Sequence, residues 1–184
     1  MSLELIFGPM FAGKSCELIR RIRMLKVLGR KYMVIKPCID TRYKVDMIVS
    51  HNMEEEKCII LNKMEDIYYH EYDDVSTIFI DEAQFFSDLK EIVIELVEKY
   101  NKNVIVAGLI GDSDRKAFGQ IIDLIPFCDS NKITSLNALC LHCNDGTIGS
   151  FSHCNMRHKD QILVGESNIY NSVCRKHYLQ LNNI

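Results

Sequence analysis

Residues 3–15 have the sequence LELIFGPMFAGKS, an apolar run that stops at a glycine and passes into a glycine-rich loop. The run predicts a buried strand, and the residues after it fit the phosphate-loop pattern G-x-x-x-x-G-K-[ST]. Its glycines let main-chain N–H groups curl around phosphate oxygens, its lysine reaches the β- and γ-phosphates, and its serine hydroxyl is placed to bind Mg²⁺. We expect a nucleoside triphosphate to bind the loop residues Gly8, Pro9, Met10, Phe11, Ala12, Gly13, Lys14 and Ser15.

A helix is predicted directly after this loop. Leu18, Ile22 and Leu25 recur at helical spacing, and Gly29 supplies a stop. The positive end of the helix dipole would complete the anion site. A chance match of the loop pattern is the alternative, and the strand before it and the amphipathic helix after it argue against that alternative.

The composition is that of an ordinary globular protein. The 184 residues are 47% hydrophobic and 26% charged, with a net charge of −3, which predicts one domain with at most a small appendage. No broad basic field favours nucleic acid, no secretory signal is recognisable, and no apolar run is long enough to span a bilayer. We therefore expect a cytoplasmic protein whose eight cysteines are thiols or metal ligands.

Strands and helices alternate along the chain. This order predicts an α/β fold in which helices flank a parallel sheet of the phosphate-loop, RecA-like type, with ligands beyond the carboxyl ends of the strands. The predicted strands are 32–35, 58–61, 75–80, 104–109 and 133–139, and the predicted helices are 62–72 and 87–100. From residue 140 the periodicity fades, so we expect a nucleotide-binding core over 1–139 and a small zinc-binding unit over 140–184.

An acidic pair, Asp81 and Glu82, follows the apolar run 75–80. A hydrophobic strand ending in a carboxylate has the form of a Walker B element, and we expect this strand beside the phosphate loop. Asp81 would then lie near Mg²⁺, and Glu82 could accept a proton from the attacking hydroxyl. The alternative is a pair that caps a helix or forms salt bridges.

Gln84, Phe85 and Phe86 come next in the chain. An amide beside two aromatic rings could bind a nucleobase, with the amide on its edge and a ring on its face. The same rings could instead be core residues that begin the next helix.

Two pairs of metal-ligand residues occur late in the chain. Cys140 with Cys143, and Cys174 with His177, each have two residues between them, which is the spacing of a closed structural zinc site. Such an ion would hold a segment with too little apolar surface to fold alone. A rival ligand set draws on His142, His153, Cys154 and His158, and the isolated Cys16, Cys38, Cys58 and Cys128 are predicted to be core residues.

Taken in order, these motifs resemble the type II thymidine kinases over residues 5–178. The resemblance rests on the phosphate loop, on Asp40-Thr41-Arg42-Tyr43, on residues 80–86 (IDEAQFF), on the paired knuckles, and on residues 165–174. It implies transfer of the ATP γ-phosphate to the 5′-hydroxyl of thymidine to give dTMP in pyrimidine salvage, with deoxyuridine as a second acceptor. It also implies a homotetramer.

The resemblance implies a role for each matching position. Glu82 would be the catalytic base and Arg42 the cation that steadies the transferring phosphoryl group, with Asp81 and Ser15 around Mg²⁺ and Asp40 nearby. Gln84 is carried over as a cofactor contact. The nucleoside would be bound by Phe85, Leu109, Ser113, Phe118 and Tyr170, with Met10 beside them, and by a lasso at Gln161, Ile162, Leu163, Val164 and Gly165.

The chain departs from the family pattern at a few positions. Ser113 stands where the family has an aromatic residue, which predicts a pocket that is wider or differently closed and a less strict preference for thymidine. His177 replaces a cysteine of some members but preserves the number of metal ligands. We also expect no counterpart of the longer regulatory tail of some relatives.

Two other functions fit parts of the sequence. One is a phosphate-loop ATPase or switch, with Glu82 orienting water and the zinc unit binding a partner. The other is a zinc-ribbon nucleic-acid binder that uses Arg157, His158 and Lys159, which the net acidity disfavours. A requirement for a nucleoside in ATP turnover separates the kinase from the ATPase.

Overall fold

The computed structural model describes residues 1–41, 46–50, 53–156 and 169–184. Within these residues the helices are α1 (Lys14–Val27), α2 (Leu89–Glu98) and α3 (Arg175–Asn182). The strands are β1 (Ser2–Phe7), β2 (Tyr32–Pro37), β3 (Met47–Val49), β4 (Glu55–Lys57), β5 (Ile59–Leu61), β6 (Thr77–Ile80), β7 (Asn103–Gly108), β8 (Ile133–Ser135), β9 (Ala138–Leu139), β10 (Ile148–Gly149), β11 (Phe151–Cys154) and β12 (Tyr170–Val173).

The main sheet has six strands in the order β5-β2-β6-β7-β1-β8, and every neighbouring pair in it is parallel. The predicted parallel α/β fold is therefore confirmed. The strand of the acidic pair, β6, is not the direct neighbour of β1, because β7 lies between them.

Both faces of the sheet are covered, so its strands are apolar almost throughout. On β1, Leu5 packs in the cluster that includes α2, whereas Ile6 packs against α1 on the opposite face. The same alternation holds on β6 for Ile80 and Phe79. Gly29, with a φ of +61°, follows the end of α1 as predicted.

A small unit follows the main sheet. Its strands form two antiparallel pairs, β9 with β10 and β11 with β12, and α3 closes it. Ser172 joins the pairs, since its hydroxyl donates to the Leu139 carbonyl at 2.7 Å and its own carbonyl accepts from Leu141 N at 3.0 Å. The domain division at residue 139 stays a prediction.

Some predicted elements have different limits. The helix expected at 62–72 is a short 3₁₀ helix, Met64–Tyr69, whose first amides donate to the Asp88 carboxylate. The strand expected at 133–139 is divided in two. Its first part, β8, pairs with β1, but β1 ends at Phe7, so the chain beyond Leu136 has no residue of β1 left to pair with. It then pairs with β10 as β9.

Cys38 is exposed, contrary to its predicted place in the core, because it follows β2 at the rim of the sheet. Cys16, Cys58 and Cys128 are partly buried. Among the residues that the structure describes, none of the helices combines the length and the apolar character that crossing a membrane requires.

Candidate active site and metal centre

The phosphate loop joins the carboxyl end of β1 to the first residue of α1. Gly13 has a φ of +81°, a conformation open to glycine, and its carbonyl accepts the Glu17 amide as α1 begins. Lys14 is nearly buried, and its ammonium donates to the carbonyls of Gly8 (3.3 Å) and Pro9 (2.9 Å). The loop thus has the strand–turn–helix setting that a phosphate-binding site requires.

Ser15 and Asp81, the two predicted Mg²⁺ groups, are brought together by the fold. The Ser15 hydroxyl donates to Asp81 Oδ2 at 2.8 Å, and Asp81 Oδ1 accepts from Glu82 N at 3.0 Å. The first turn of α1 therefore reaches the end of β6 across the intervening β7. A carboxylate and a hydroxyl oxygen are hard ligands of the kind that Mg²⁺ prefers.

Glu82 occupies an unusual backbone conformation beside this pair. Its φ of +49° lies in the left-handed region, which is uncommon for a residue with a Cβ, and its side chain is nearly buried. Its Oε2 accepts from Gln84 Nε2 at 2.6 Å, and Gln84 Oε1 accepts from Leu109 N at 2.9 Å. The amide predicted to contact a cofactor is thus bonded at both ends to protein groups.

Lys36 is a charged residue of this region that sequence reasoning missed. It lies on β2 with 1% of its side chain exposed, donates to the Met47 carbonyl at 3.0 Å, and has its ammonium 3.7 Å from Asp40 Oδ2. The available signal was a lysine between Ile35 and Pro37 in an otherwise apolar strand. Nearby, burial raises the pKa of Cys58 to about 11, against the opposing charge of Lys36.

Two of the predicted nucleoside-binding residues are aromatic and contact each other. Phe85 and Phe118 meet edge to face, with ring centroids 5.5 Å apart, and Phe118 is nearly buried. Leu109 follows β7, the neighbour of β6, so it lies at the same edge of the sheet. Burial raises the pKa of Tyr170 to about 12, and the charges of Cys154 and Asp112 add to that effect.

Several predicted positions lie outside the described residues. Arg42 is one of them, and the predicted lasso residues are the others: Gln161, Ile162, Leu163, Val164 and Gly165.

The two knuckles converge on one cluster. His177 Nδ1 lies 3.4 Å from each of the sulfurs of Cys140, Cys143 and Cys174, and the last two sulfurs are 3.8 Å apart. A tetrahedral zinc ion, with bonds of about 2.3 Å to sulfur and about 2.0 Å to nitrogen, separates two sulfurs by about 3.8 Å and a sulfur from a nitrogen by about 3.5 Å. The cluster therefore fits zinc, and these four residues could hold the ion.

The rival metal ligands are engaged elsewhere. The His142 ring lies against the His177 ring at 5.4 Å, outside the four-ligand group, and His153 Nδ1 pairs with Asn182 Nδ2 at 3.2 Å. Cys154 is on β11, also outside that group, and His158 lies outside the described residues. Within the described ranges, the paired knuckles alone form a group of this kind.

The small unit formed by β9–β12 and α3, called the metal-ligand unit from here on, contacts the phosphate loop and the loop that follows β7. The Ser152 hydroxyl on β11 accepts from Met10 N of the phosphate loop at 2.9 Å. Tyr178, next to His177, donates its hydroxyl to the Ser113 carbonyl at 2.7 Å, and its ring lies 4.5 Å from the Arg115 guanidinium carbon. The unit and the glycine-rich loop are thus on the same side of the sheet.

Comparisons with known proteins point to one family. Residues 1–178 match the family model described as thymidine kinase. The chain is 38% identical over 183 residues to thymidine kinase a of Arabidopsis thaliana, with 97% of this chain and 75% of that protein covered. It is 38% identical to a rice thymidine kinase, covering 96% of this chain and 66% of that one, and 35% identical to the cytosolic thymidine kinase of Gallus gallus, covering 97% and 77%.

The fold and the site define a phosphate-loop phosphotransferase. The matched span includes the phosphate loop and all four residues of the Cys₃His cluster. The chain belongs to the thymidine kinase family, whose members are nucleoside kinases. It spans 66% to 77% of the length of the three relatives named above.

Proposed function

We propose that this protein transfers the γ-phosphate of ATP to the 5′-hydroxyl of thymidine to give dTMP for pyrimidine salvage, and that it also accepts deoxyuridine, which would give dUMP. The observation that carries the proposal is the 2.8 Å hydrogen bond between Ser15 and Asp81, because it sets a candidate Mg²⁺ site beside Glu82. The names of the similar plant and bird proteins support thymidine as the substrate.

The phosphate donor would be bound by the loop of residues 8–15. Lys14 would exchange its bonds to the loop carbonyls for phosphate oxygens, and Ser15 and Asp81 would hold Mg²⁺ with Asp40 nearby. A bound Mg²⁺ supplies charge neutralisation on the phosphates. Arg42 would add positive charge on the transferring group.

Glu82 would accept the proton of the 5′-hydroxyl. Its burial and its fixed hydrogen bond to Gln84 support this role, because a base must be held within reach of the proton that it removes. Phosphoryl transfer has a loose transition state, so positioning would contribute more than proton removal itself.

The nucleoside would lie between the two aromatic rings and the metal-ligand unit. Phe85, Phe118, Leu109 and Met10 would form apolar walls, with Tyr170 at the sugar and residues 161–165 on the base. Ser113 takes the place of an aromatic residue, and its carbonyl bond to Tyr178 supports a pocket closed by the backbone rather than by a ring at that position.

The remaining assignments are also proposals. Zinc at the Cys₃His cluster would be structural, because all four positions of a tetrahedral ion are filled by protein ligands. We place the protein in the cytoplasm, as the name of the bird relative suggests, and expect a homotetramer that binds neither nucleic acid nor membrane.

The test is a phosphate-transfer assay with ATP, Mg²⁺ and a panel of thymidine, deoxyuridine and deoxycytidine. We expect transfer to the first two, and Glu82→Gln should lower kcat by about 10²- to 10⁴-fold while the KM for ATP changes little. Glu91→Gln, on the exposed first turn of α2, is the control and should leave kcat unchanged. If ATP is hydrolysed at the same rate without a nucleoside, the proposed kinase activity is wrong and the protein is an ATPase.

A further inference from the structure

The Gln84 side chain links the candidate base to the neighbouring strand. Its Nε2 donates to Glu82 Oε2 at 2.6 Å, and its Oε1 accepts from Leu109 N at 2.9 Å. Leu109 directly follows β7, so the amide connects the end of β6 to the end of β7.

The orientation of this amide follows from the chemistry of its partners. A main-chain N–H can only donate, so the oxygen of the Gln84 amide must face Leu109. The NH₂ group therefore faces Glu82, and a hydrogen bond from it favours an ionised carboxylate, which only accepts. Gln84 thus places a fixed hydrogen-bond donor on the carboxylate that would accept the proton.

Neighbouring residues pack closely around the Gln84 side chain and main chain and hold them in one conformation. A Cβ on Gly108 would lie 2.3 Å from Gln84 Oε1, and a Cβ on Gly119 would lie 2.3 Å from the Gln84 carbonyl oxygen. Only 3% of Gln84 is exposed. A glutamine that hydrogen-bonds a ligand would have to present its amide at a surface, and this amide is enclosed by the protein.

Glu82 needs such a support because its backbone is strained. A left-handed residue with a Cβ costs about 1 to 3 kcal/mol and persists where its surroundings fix it. Glu82 is fixed at its main chain, where its N–H donates to Asp81 Oδ1, and at its carboxylate, where Gln84 donates.

We propose that Gln84 is a positioning residue that aims the Glu82 carboxylate at the acceptor hydroxyl. This inference rests on the proposed role of Glu82 as the base. Because the same amide bonds the main chain of Leu109, a proposed wall of the nucleoside site, Gln84 sets the distance between the base and the nucleoside.

A double-mutant cycle tests the proposal with Gln84→Met, Glu82→Gln and both together. We expect Gln84→Met to lower kcat about tenfold, equivalent to about 1.4 kcal/mol of transition-state stabilisation, with the KM for ATP within about twofold of the parent. In the Glu82→Gln background the same change should lower kcat by less than about twofold, because Gln84 acts through Glu82.

The matched control is Gln120→Met. Gln120 Oε1 also accepts a main-chain N–H, that of Lys90 at 2.9 Å, but its partner is at the start of α2 and is not a member of the acidic pair. This variant should keep the parent kcat.

The outcomes distinguish a positioning role of Gln84 from a purely structural one, and they test separately whether Glu82 is the base. An unchanged kcat in Gln84→Met, or an equal fold-loss in both backgrounds, contradicts the positioning role and leaves a structural one. An unchanged kcat in Glu82→Gln alone contradicts the proposed base instead. If Gln84→Met loses zinc or thermal stability, the same cycle is run with Gln84→Asn, which keeps the amide but is one methylene too short to bridge Glu82 and Leu109, and the same criteria apply.

Discussion

Three residues around the phosphate site, Phe11, Gly13 and Glu82, have φ angles of +63°, +81° and +49°. Only one of them is a glycine, and a left-handed conformation costs about 1 to 2 kcal/mol for the others. Those costs are local, whereas the hydrogen bonds and packing that offset them come from β6, β7 and α1. Strain of this kind marks places where the position of a group matters more than its stability.

Gly8 is constrained in another way, by a close approach. A Cβ at Gly8 would lie 2.4 Å from the carbonyl oxygen of Leu136, a backbone atom that cannot turn aside. We therefore predict that Gly8→Ala displaces the phosphate loop and weakens ATP binding by at least about tenfold, or about 1.4 kcal/mol. Isothermal titration with ATP and Mg²⁺ measures this.

Gly29→Ala is the matched control for that experiment. Gly29 is left-handed, with a φ of +61°, but has open space around it. Its replacement should cost about 1 to 2 kcal/mol of unfolding free energy and leave ATP affinity unchanged. Equal losses of ATP affinity in the two variants would refute the proposed cause.

At the scale of elements, the Tyr178 side chain joins α3 to residues 110–118, the 110–118 loop that follows β7. Tyr178 is 2% exposed, packs against the Phe151 ring at 5.3 Å, and donates its hydroxyl to the Ser113 carbonyl at 2.7 Å. Ser113, which stands where the family has an aromatic residue, is therefore held through its main-chain carbonyl, independently of its small side chain.

Tyr178→Phe removes this bond and keeps the ring. We predict that the KM for thymidine rises about 2- to 10-fold, the range that corresponds to one hydrogen bond of about 0.5 to 1.5 kcal/mol. Zinc content and kcat should stay near the parent values. Steady-state kinetics with metal analysis checks both.

Tyr32→Phe is the comparison for that variant, since the Tyr32 hydroxyl donates to Glu56 at 2.9 Å on the far part of the sheet. It should lower stability by a similar amount without changing the KM for thymidine. An unchanged KM in Tyr178→Phe would separate the 110–118 loop from nucleoside binding.

The elements also show which features sequence can predict. The phosphate loop, the acidic pair and the cysteine knuckles depend on local spacing, which the sequence displays, and the structure brings Ser15 to Asp81 and the two knuckles to each other. The contact of Gln84 with Leu109 depends on strand order, because it joins the ends of the neighbouring strands β6 and β7. The position of β7 between β1 and β6 is not encoded in any local pattern, so this contact could not be predicted from the sequence.

At the scale of the whole molecule, hydrogen bonds between described residues attach the metal-ligand unit to the phosphate loop and to the 110–118 loop. Ser152 accepts from Met10 in the phosphate loop, and Tyr178 holds the Ser113 carbonyl. Its own apolar cluster is small, with Cys140, Val173 and Tyr178 as the buried members. The four ligands are thus expected to supply most of the order of this unit.

We predict that Cys174→Ser loses zinc and thermal stability together. Structural zinc contributes about 10 kcal/mol in small zinc modules. Losing about 2 kcal/mol of it lowers the melting temperature of a chain of this size by about 4 to 8 °C. Metal analysis and thermal unfolding measure the two effects.

Cys38→Ser is the control, because Cys38 is exposed and outside the cluster. It should retain both zinc and melting temperature. Stoichiometric zinc in Cys174→Ser would overturn the ligand assignment.

The pairing of β1 with β7 has a consequence for biosynthesis. The two strands are joined between residues 101 positions apart, as in the bond from Ser2 to Asn103. At ribosomal speeds of about 5 to 20 residues per second, the apolar first strand waits about 5 to 20 seconds for its neighbour to be made. During that interval LELIF is an unpaired apolar segment of a nascent chain, so the strand that leads into the phosphate loop is open to chaperone binding until β7 has been made.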